Sequence, residues 1–356
     1  MSSITGKIFK VTTWGESHGP ALGAVVDGCP AGLLLSPEDI QVMLNRRKPG
    51  ASEFATKRSE ADSVEILSGV FEGRTTGCPI SLMIRNTSQR SGDYSQIAGY
   101  YRPGHADFGF DRKYGFRDYR GGGRSSGRET AARVAAGAIA KKLLAGEGIS
   151  VDAYTLSIGP VEIDKSRMDQ SLACTNPLCM PDEGAFEKAS EYLRDCMAQG
   201  DSAGGVIECV IRGVAPGLGE PVFDKLDAAL AAAVFSIGSV KGFEIGDGFA
   251  AARSRGSENN DPFINDNGKI VKKTNHSGGI LGGISDGSDI VLRAAIKPTP
   301  SISAPQQTVG KNGEEMQVSI HGRHDPVIVP RAVVVVEAMA ALVVADMLLQ
   351  NRSSKL

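Results

Sequence analysis

Three stretches of this chain hold residue types that could do chemistry together. The densest runs from Arg102 to Thr130 and reads RPGHADFGFDRKYGFRDYRGGGRSSGRET. Its 29 residues include six arginines, one lysine, one histidine and seven glycines. Glycine lets a backbone approach a ligand closely, and arginine gives phosphate a bidentate donor. The triplet Gly121–Gly123 leads to Ser126-Gly-Arg-Glu129, a capping-box pattern that opens a helix. A helix N-terminus adds unpaired N–H groups and about half a positive charge. The pattern predicts a loop that binds an anion through Arg120, Arg124 and Arg128 and then starts a helix. It is not a Walker loop, because no Gly-Lys-Ser/Thr closes it.

Two histidines have room for a ligand. His18 lies in Gly-Glu-Ser-His-Gly and His105 in Pro-Gly-His-Ala-Asp. An imidazole among small residues titrates near neutral pH and suits general-acid work. A turn histidine bonded to backbone is the plainer reading of each alone; two such settings beside an arginine-rich loop favour acid–base work on a phosphorylated substrate. The third stretch is His321-Gly-Arg-His-Asp-Pro326. His321 and His324 have the spacing of metal ligands on a helix, but Gly322 and Pro326 favour a loop, so no metal site is expected. Arg323 and Asp325 serve better as an anion contact and a base. Lys297-Pro-Thr-Pro-Ser301 combines a cation, hydroxyls and a fixed turn, compatible with phosphate. His276 precedes Gly278-Gly-Ile-Leu-Gly-Gly-Ile284, which suits either a flat cofactor or tight packing. No nucleophile elbow, catalytic cysteine or dinucleotide fingerprint is present. Acid–base catalysis and charge stabilisation around a polyanion remain.

These groups need elements to hold them. The chain has 356 residues, 41% of them hydrophobic, a net charge of −2 and a pI near 6.3. A large core is possible, and a broadly basic nucleic-acid binder is disfavoured. Six scattered cysteines without a CxxC read as free thiols of a reducing cytosol. The start, MSSITGKIFK, has no apolar signal core. The most apolar run, Ala332–Leu349, is interrupted by Glu337 and Asp346 and reads as a buried helix, not a membrane span. Alternation predicts strands at Lys7–Thr13, Leu22–Val26, Ser63–Phe71, Pro79–Arg85, Val151–Ile158, Gly205–Val214 and Ile290–Ile296. Helices are predicted from Ser36-Pro37 to the cationic knot Arg46-Arg47-Lys48, from Ser126 to Gly146, at Phe186–Met197, at Asp224–Phe235 and from Pro330 onward. Gln89–Tyr101 reads as polar loop. An echo links the halves: Gly28-Cys-Pro-Ala-Gly-Leu33 and Gly213-Val-Ala-Pro-Gly-Leu218 each lead into a helix. It fits either an old duplication or two common turns matching by chance. No linker divides the chain, so a single domain over residues 1–356 is expected.

GESHG, RPGHAD, GGGRSSGRET, NHSGGILGG, KPTPS and GRHDP occur in that order between residues 15 and 326. Together they resemble chorismate synthase over essentially the whole chain. The resemblance implies an α/β (α+β) fold, a single-domain layered sandwich of antiparallel sheets and helices with a possible internal pseudo-twofold, assembled as a homotetramer. It implies a carbon–oxygen lyase that removes phosphate and a C6 hydrogen from 5-enolpyruvylshikimate 3-phosphate by 1,4-elimination. The product is chorismate, at the last common step of aromatic amino-acid biosynthesis. Reduced FMN is required, although the reaction has no net redox change. In the family pattern His18 keeps the reduced flavin protonated near N1 and His105 protonates the leaving phosphate. Asp325 assists deprotonation around flavin N5, with Ser17 as relay partner. Arg47, Arg102, Arg128 and Arg323 would line the substrate's anion site. Arg124, Ser125, Ser126, Gly238, Ser239, Gly282, Lys297, Pro298, Thr299, Pro300, Ser301 and again Arg323 would touch FMN. NADPH is the expected indirect reductant, through an external flavin reductase, because the chain has the length of the single-function type. A cytoplasmic location with no nucleic-acid or membrane partner is expected from the cysteine pattern, the charge balance and the interrupted apolar run. In one departure, Glu53 stands where many members carry arginine, so an anion contact is missing or comes from Lys57 or Arg58. A flavin- or phosphometabolite-binding protein without catalysis is the alternative reading. RNA binding through the Arg/Gly/Tyr-rich Tyr114–Arg128 ranks last.

Overall fold

The computed structural model describes residues 3–48, 52–55, 61–87, 98–119, 122–320 and 325–356. The first half supplies β1 (Ile4–Thr5), β2 (Lys10–Gly15), β3 (Ala21–Asp27), α1 (Pro37–Arg47), β4 (Val64–Ile66), the hairpin β5–β6 (Val70–Phe71, Arg74–Thr75), β7 (Ile80–Arg85), α2 (Asp107–Tyr114) and α3 (Thr130–Ala145). The second supplies β8 (Ser150–Ile158), β9 (Val161–Glu162), α4 (Glu183–Ala198), β10 (Gly205–Arg212), α5 (Leu226–Phe235), β11 (Val240–Ile245) and the short α6 (Gly256–Asn259). Hairpins β12–β13 (Phe263–Asp266, Lys269–Lys272) and β14–β15 (Ile280–Leu281, Ile284–Ser285) follow, then β16 (Ile290–Ile296), hairpin β17–β18 (Gln306–Val309, Glu315–Val318) and α7 (Val329–Asn351).

Two five-stranded antiparallel sheets form the outer layers, in the orders β1-β2-β3-β7-β4 and β11-β16-β10-β8-β9. Helix α3 packs on the first sheet, α7 on the second, and the two helices pack on each other. This is the expected α+β sandwich, with its helices segregated between antiparallel sheets.

The echo between the halves is structural. Four strands of each sheet follow one order, β2-β3-β7-β4 and β8-β10-β16-β11. In each half the second strand feeds the Gly-x-x-x-Gly-Leu turn and then a helix, α1 or α5. A hairpin locks each turn from the side. The Leu33 N–H donates to Thr75 Oγ1 at 3.0 Å, and the Leu218 N–H donates to Ser285 Oγ at 2.9 Å. Each hydroxyl donates onward to a turn carbonyl, that of Pro30 or Ala215. A matched network of this detail identifies an internal repeat.

Three elements depart from expectation, each for a local reason. The first long strand begins at Lys10 and not Lys7, because the N–H groups of Lys7, Ile8 and Phe9 donate to the Asp346 carboxylate. The run Ser63–Phe71 breaks at Gly69, whose φ of +80° turns the chain between β4 and β5. The loop expected through Arg102–Thr130 contains helix α2, with Asp107 in its first turn, Arg112 and Lys113 in its last, and Gly115 left-handed at φ +80° as its stop.

Helix α7 is long and apolar enough to cross a membrane, but 83% of its most apolar window is buried. Its two acids have partners inside the fold. Glu337 takes a bidentate pair from Arg46 at 2.9 and 2.8 Å and a contact from Lys141, while Asp346 anchors the N-terminal segment. Gly137 of α3 allows the close crossing with α7: an added Cβ would lie 2.4 Å from the Ala338 Cβ. Gly137→Ala should therefore lower the urea midpoint, although alanine favours a helix by about 1 kcal/mol over glycine. A raised midpoint would contradict the crossing.

Candidate active site

The site starts where α3 starts. Ser126 caps the Gly127–Glu129 turn by accepting from the Arg128 N–H at 3.3 Å. The capping box is incomplete, because the Glu129 carboxylate turns away to pair with Arg133 at 2.9 Å. Arg47, the last residue of α1, is 2% exposed and points at this helix start. Its NH1 donates to the Gly127 carbonyl at 3.3 Å and to Thr130 Oγ1 at 3.2 Å, and its Nε is buried without a hydrogen-bond partner among the described residues. Its NH2 pairs with Asp62 Oδ2 at 2.8 Å, and Arg128 NH1 pairs with Asp62 Oδ1. Burial alone would push the Asp62 carboxyl up, but the charges of Arg47 and Arg128 bring it below the usual range. Burial lowers Arg47 to about 10, so it stays charged at neutral pH. Nothing in the local run Ser-Glu-Ala-Asp-Ser marks Asp62; its importance comes from what folds around it.

The His18 loop joins β2 to β3, and Ser17 Oγ lies 3.0 Å from His18 Nδ1. Asn86, just after β7, donates to the carbonyls of Glu16 and Gly19 at 2.9 and 2.8 Å. Those bonds fix its amide so that Oδ1 accepts from Arg128 Nε at 2.9 Å. Asn86 thus ties the histidine loop to the arginine cluster. Arg124 adds a second tie, donating to the Gly15 carbonyl at 3.0 Å and to Thr13 Oγ1 at 2.7 Å. Ser125 Oγ donates back to the Gly122 carbonyl.

His105 faces the other half of the chain. Its Nδ1 lies 2.9 Å from the Pro103 carbonyl, which can only accept, so Nδ1 carries a proton. In the neutral ring Nε2 then accepts from Ser301 Oγ, 3.0 Å away. Lys297 Nζ donates to the Gly104 carbonyl at 3.1 Å, and Pro300 packs where a Gly104 Cβ would sit, with Gly104 at φ +68°. The Pro-Gly-His turn and Lys297–Ser301 are thereby clasped together. Burial, then the charge of Arg102, pushes His105 down to about 4. Arg102 itself is buried in a fork with Asp107 at 2.8 and 2.7 Å, and Arg117 meets the same carboxylate at 2.8 Å. Arg102 therefore acts on His105 through its field.

The remaining expected residues divide. The Lys297 N–H donates to the Ser239 carbonyl at 2.9 Å, which sets Gly238–Ser239 beside Lys297–Ser301. Arg133, unmarked in the sequence, joins the start of α3 to the end of α5 by donating to Ser236 Oγ at 2.5 Å and to its carbonyl at 3.2 Å. Buried Asp325 pairs with Arg331 at 2.6 Å, and Arg331 Nε reaches the Arg47 carbonyl at 3.2 Å. A cavity of about 510 Å³ opens beside Asp325, walled by Phe54, Val327, Val333, Arg46 and Arg331. Gly282 stands apart. It lies on the β14–β15 turn, where the Gly283 carbonyl accepts from Leu226 at the start of α5, whereas Gly238–Ser239 follow the end of α5. The helix between them is about 15 Å long. Glu53 pairs on the surface with Arg194 at 2.8 Å. Arg323, His321, His324, Lys57 and Arg58 lie outside the described residues.

Buried arginines at a helix start, two loop histidines and a buried carboxylate within a two-sheet sandwich define a class: enzymes that do acid–base work on an anionic metabolite. The family model for chorismate synthase matches residues 9–349, and the chain belongs to that family. Its relatives include the chorismate synthase of Lachnoclostridium phytofermentans, 66% identical over 355 residues that cover 99% of this chain and 97% of that one. The chorismate synthase of Agathobacter rectalis is 64% identical, covering 99% and 96%. A crystal structure of chorismate synthase aligns with a TM-score of 0.78 at 36% identity, covering 97% of this chain and 93% of the other.

Asn86 gives a test of the geometry. Asn86→Ala should cut kcat/KM by about 10²-fold through loss of alignment. Asn86→Asp should not restore it, since a carboxylate cannot donate to the Glu16 and Gly19 carbonyls. Activity near the original in either variant would contradict the tie.

Proposed function

We propose that the chain catalyses the reaction of its family, the 1,4-elimination of phosphate and a C6 hydrogen from 5-enolpyruvylshikimate 3-phosphate to give chorismate. The observation that carries this reading is the 3.0 Å approach of His105 Nε2 to Ser301 Oγ, across 196 residues of sequence. It joins an imidazole suited to acid catalysis with a segment suited to phosphate.

The residues present fit reduced FMN. Thr299 Oγ1 is buried without a hydrogen-bond partner among the described residues, two residues from the cation of Lys297, a donor set suited to a phosphate monoester. A Cβ added at Gly238 would meet nothing within 4 Å, so a flat ring could lie there. Arg124, Ser125, Ser126, Gly238, Ser239 and Lys297–Ser301 would hold the cofactor. Reduced FMN, when bound, supplies transient electron density to a reaction without net redox change.

The chain's own groups then have distinct tasks. Arg47, Arg128 and Arg323 hold the substrate's anionic groups, and Arg102 sets the field at His105. A dianionic phosphate near Nε2 opposes that field and raises the pKa of His105, so the proton is loaded with the substrate and passes to the departing phosphate. His18, oriented by Ser17, holds a proton on the cofactor side. Asp325, paired with Arg331, assists removal of the C6 hydrogen. The reading includes a cytoplasmic homotetramer supplied by NADPH through a separate flavin reductase. Exposed Phe116, Phe223, Phe249 and Ile270 support an assembly that covers them.

The protein with chemically reduced FMN, without oxygen, should release phosphate from 5-enolpyruvylshikimate 3-phosphate; no release would refute the proposal. His105→Ala should slow that release by about 10²-fold, the scale of lost general-acid help. Near-normal release in the variant would remove His105 from the mechanism. Replacing the chemical reductant by NADPH with oxidised FMN should leave the substrate unconverted, and conversion would remove the outside reductase from the reading.

A further inference from the structure

We infer that Asp62 is the internal counter-ion of the anion seat: its carboxylate lies between Arg47 and Arg128, where an anionic group of the substrate must share or replace it. The inference rests on the proposed reaction, which assigns those two arginines to the substrate. Its geometry is independent of that assignment. Asp62 is 2% exposed and gives one oxygen to each guanidinium, Oδ2 to Arg47 NH2 at 2.8 Å and Oδ1 to Arg128 NH1. A phosphate or carboxylate ligand would meet an arginine pair in the same way.

Two further observations support a seat over a simple structural pair. Among the described residues Arg47 Nε is buried with no hydrogen-bond partner, so a donor remains that Asp62 does not satisfy. Asp62 also has φ +49°, a left-handed backbone that is uncommon outside glycine. The surrounding fold holds this carboxylate against a local backbone preference.

The charge balance gives the consequence. Two arginines and one aspartate leave a net charge of about +1 at the seat, and an asparagine would leave about +2. Asp62 therefore weakens the grip on any bound anion while keeping both guanidiniums in register. As phosphate departs, Asp62 is in place to take the arginines back. It is a positioning residue, acting on substrate through Arg47 and Arg128.

The experiment is calorimetric titration of the full chain with inorganic phosphate, without cofactor or turnover. Asp62→Asn should bind phosphate at least about tenfold more tightly than the parent, and Asp62→Glu within about threefold of it, since its charge is kept. Unchanged or weaker phosphate binding by folded Asp62→Asn would overturn the inference. Should Asp62→Asn not fold in chloride, refolding in phosphate at equal ionic strength replaces the titration. Recovery in phosphate alone supports the counter-ion, and failure in both salts overturns it. Absence of turnover in the parent chain would count against the proposed reaction, whereas unaltered phosphate affinity beside normal parent turnover counts against this inference alone.

Discussion

Positive charge removed from water must be answered by negative charge, and this constraint organises the chain around its site. Asp62 answers Arg47 and Arg128; Asp107 answers Arg102 and Arg117. Asp325 answers Arg331, and Glu337 answers Arg46 and Lys141. Breaking such a buried pair by removing one partner costs about 3–5 kcal/mol, so each carboxylate fixes the place of its arginine. The pairs also cross elements: Arg46 and Arg47, neighbours at the end of α1, reach α7 and the start of α3 respectively. One helix end is thereby held from two sides, with the anion seat beside it.

The internal repeat relates two distant parts of the sequence that the proposed reaction assigns to one site. In each half a candidate site residue follows the third strand of the shared order: Asn86 follows β7, and Lys297 follows β16. Asn86 steadies the His18 loop and Arg128, while Lys297–Ser301 clasps the His105 turn. The long helices that close the halves, α3 and α7, meet through Gly137 and Ala338 and set the spacing of the two sheets. The halves differ in what their strand ends carry, an amide in one and a cation with hydroxyls in the other.

What could be read from the sequence follows the range of the interaction. The matched turns at Gly28–Leu33 and Gly213–Leu218 were legible because turn chemistry is local. Helix α7 was legible from its apolar run, but the reason for its two acids was not, since Glu337 answers residues 291 and 196 positions away. Helix α2 carried its signals in Asp107, Lys113 and Gly115, hidden within a glycine-dense stretch. Asp62, Asn86 and Arg133 had no local mark, because each works through partners brought close only by folding. Gly282 lies on the β14–β15 turn beside the start of α5, whereas Gly238 and Ser239 follow its end.

In the proposed reaction, the same electrostatic logic makes His105 a histidine whose proton arrives with its ligand. Burial and Arg102 keep its ring neutral, and the Pro103 carbonyl fixes its proton on Nδ1. The most direct test is the ¹⁵N chemical shift of both His105 ring nitrogens at neutral pH, with and without saturating inorganic phosphate. The account predicts a neutral ring protonated at Nδ1 in the free protein and a ring protonated at both nitrogens in the complex. A charged ring in the free protein, or a neutral ring in both states, would contradict it.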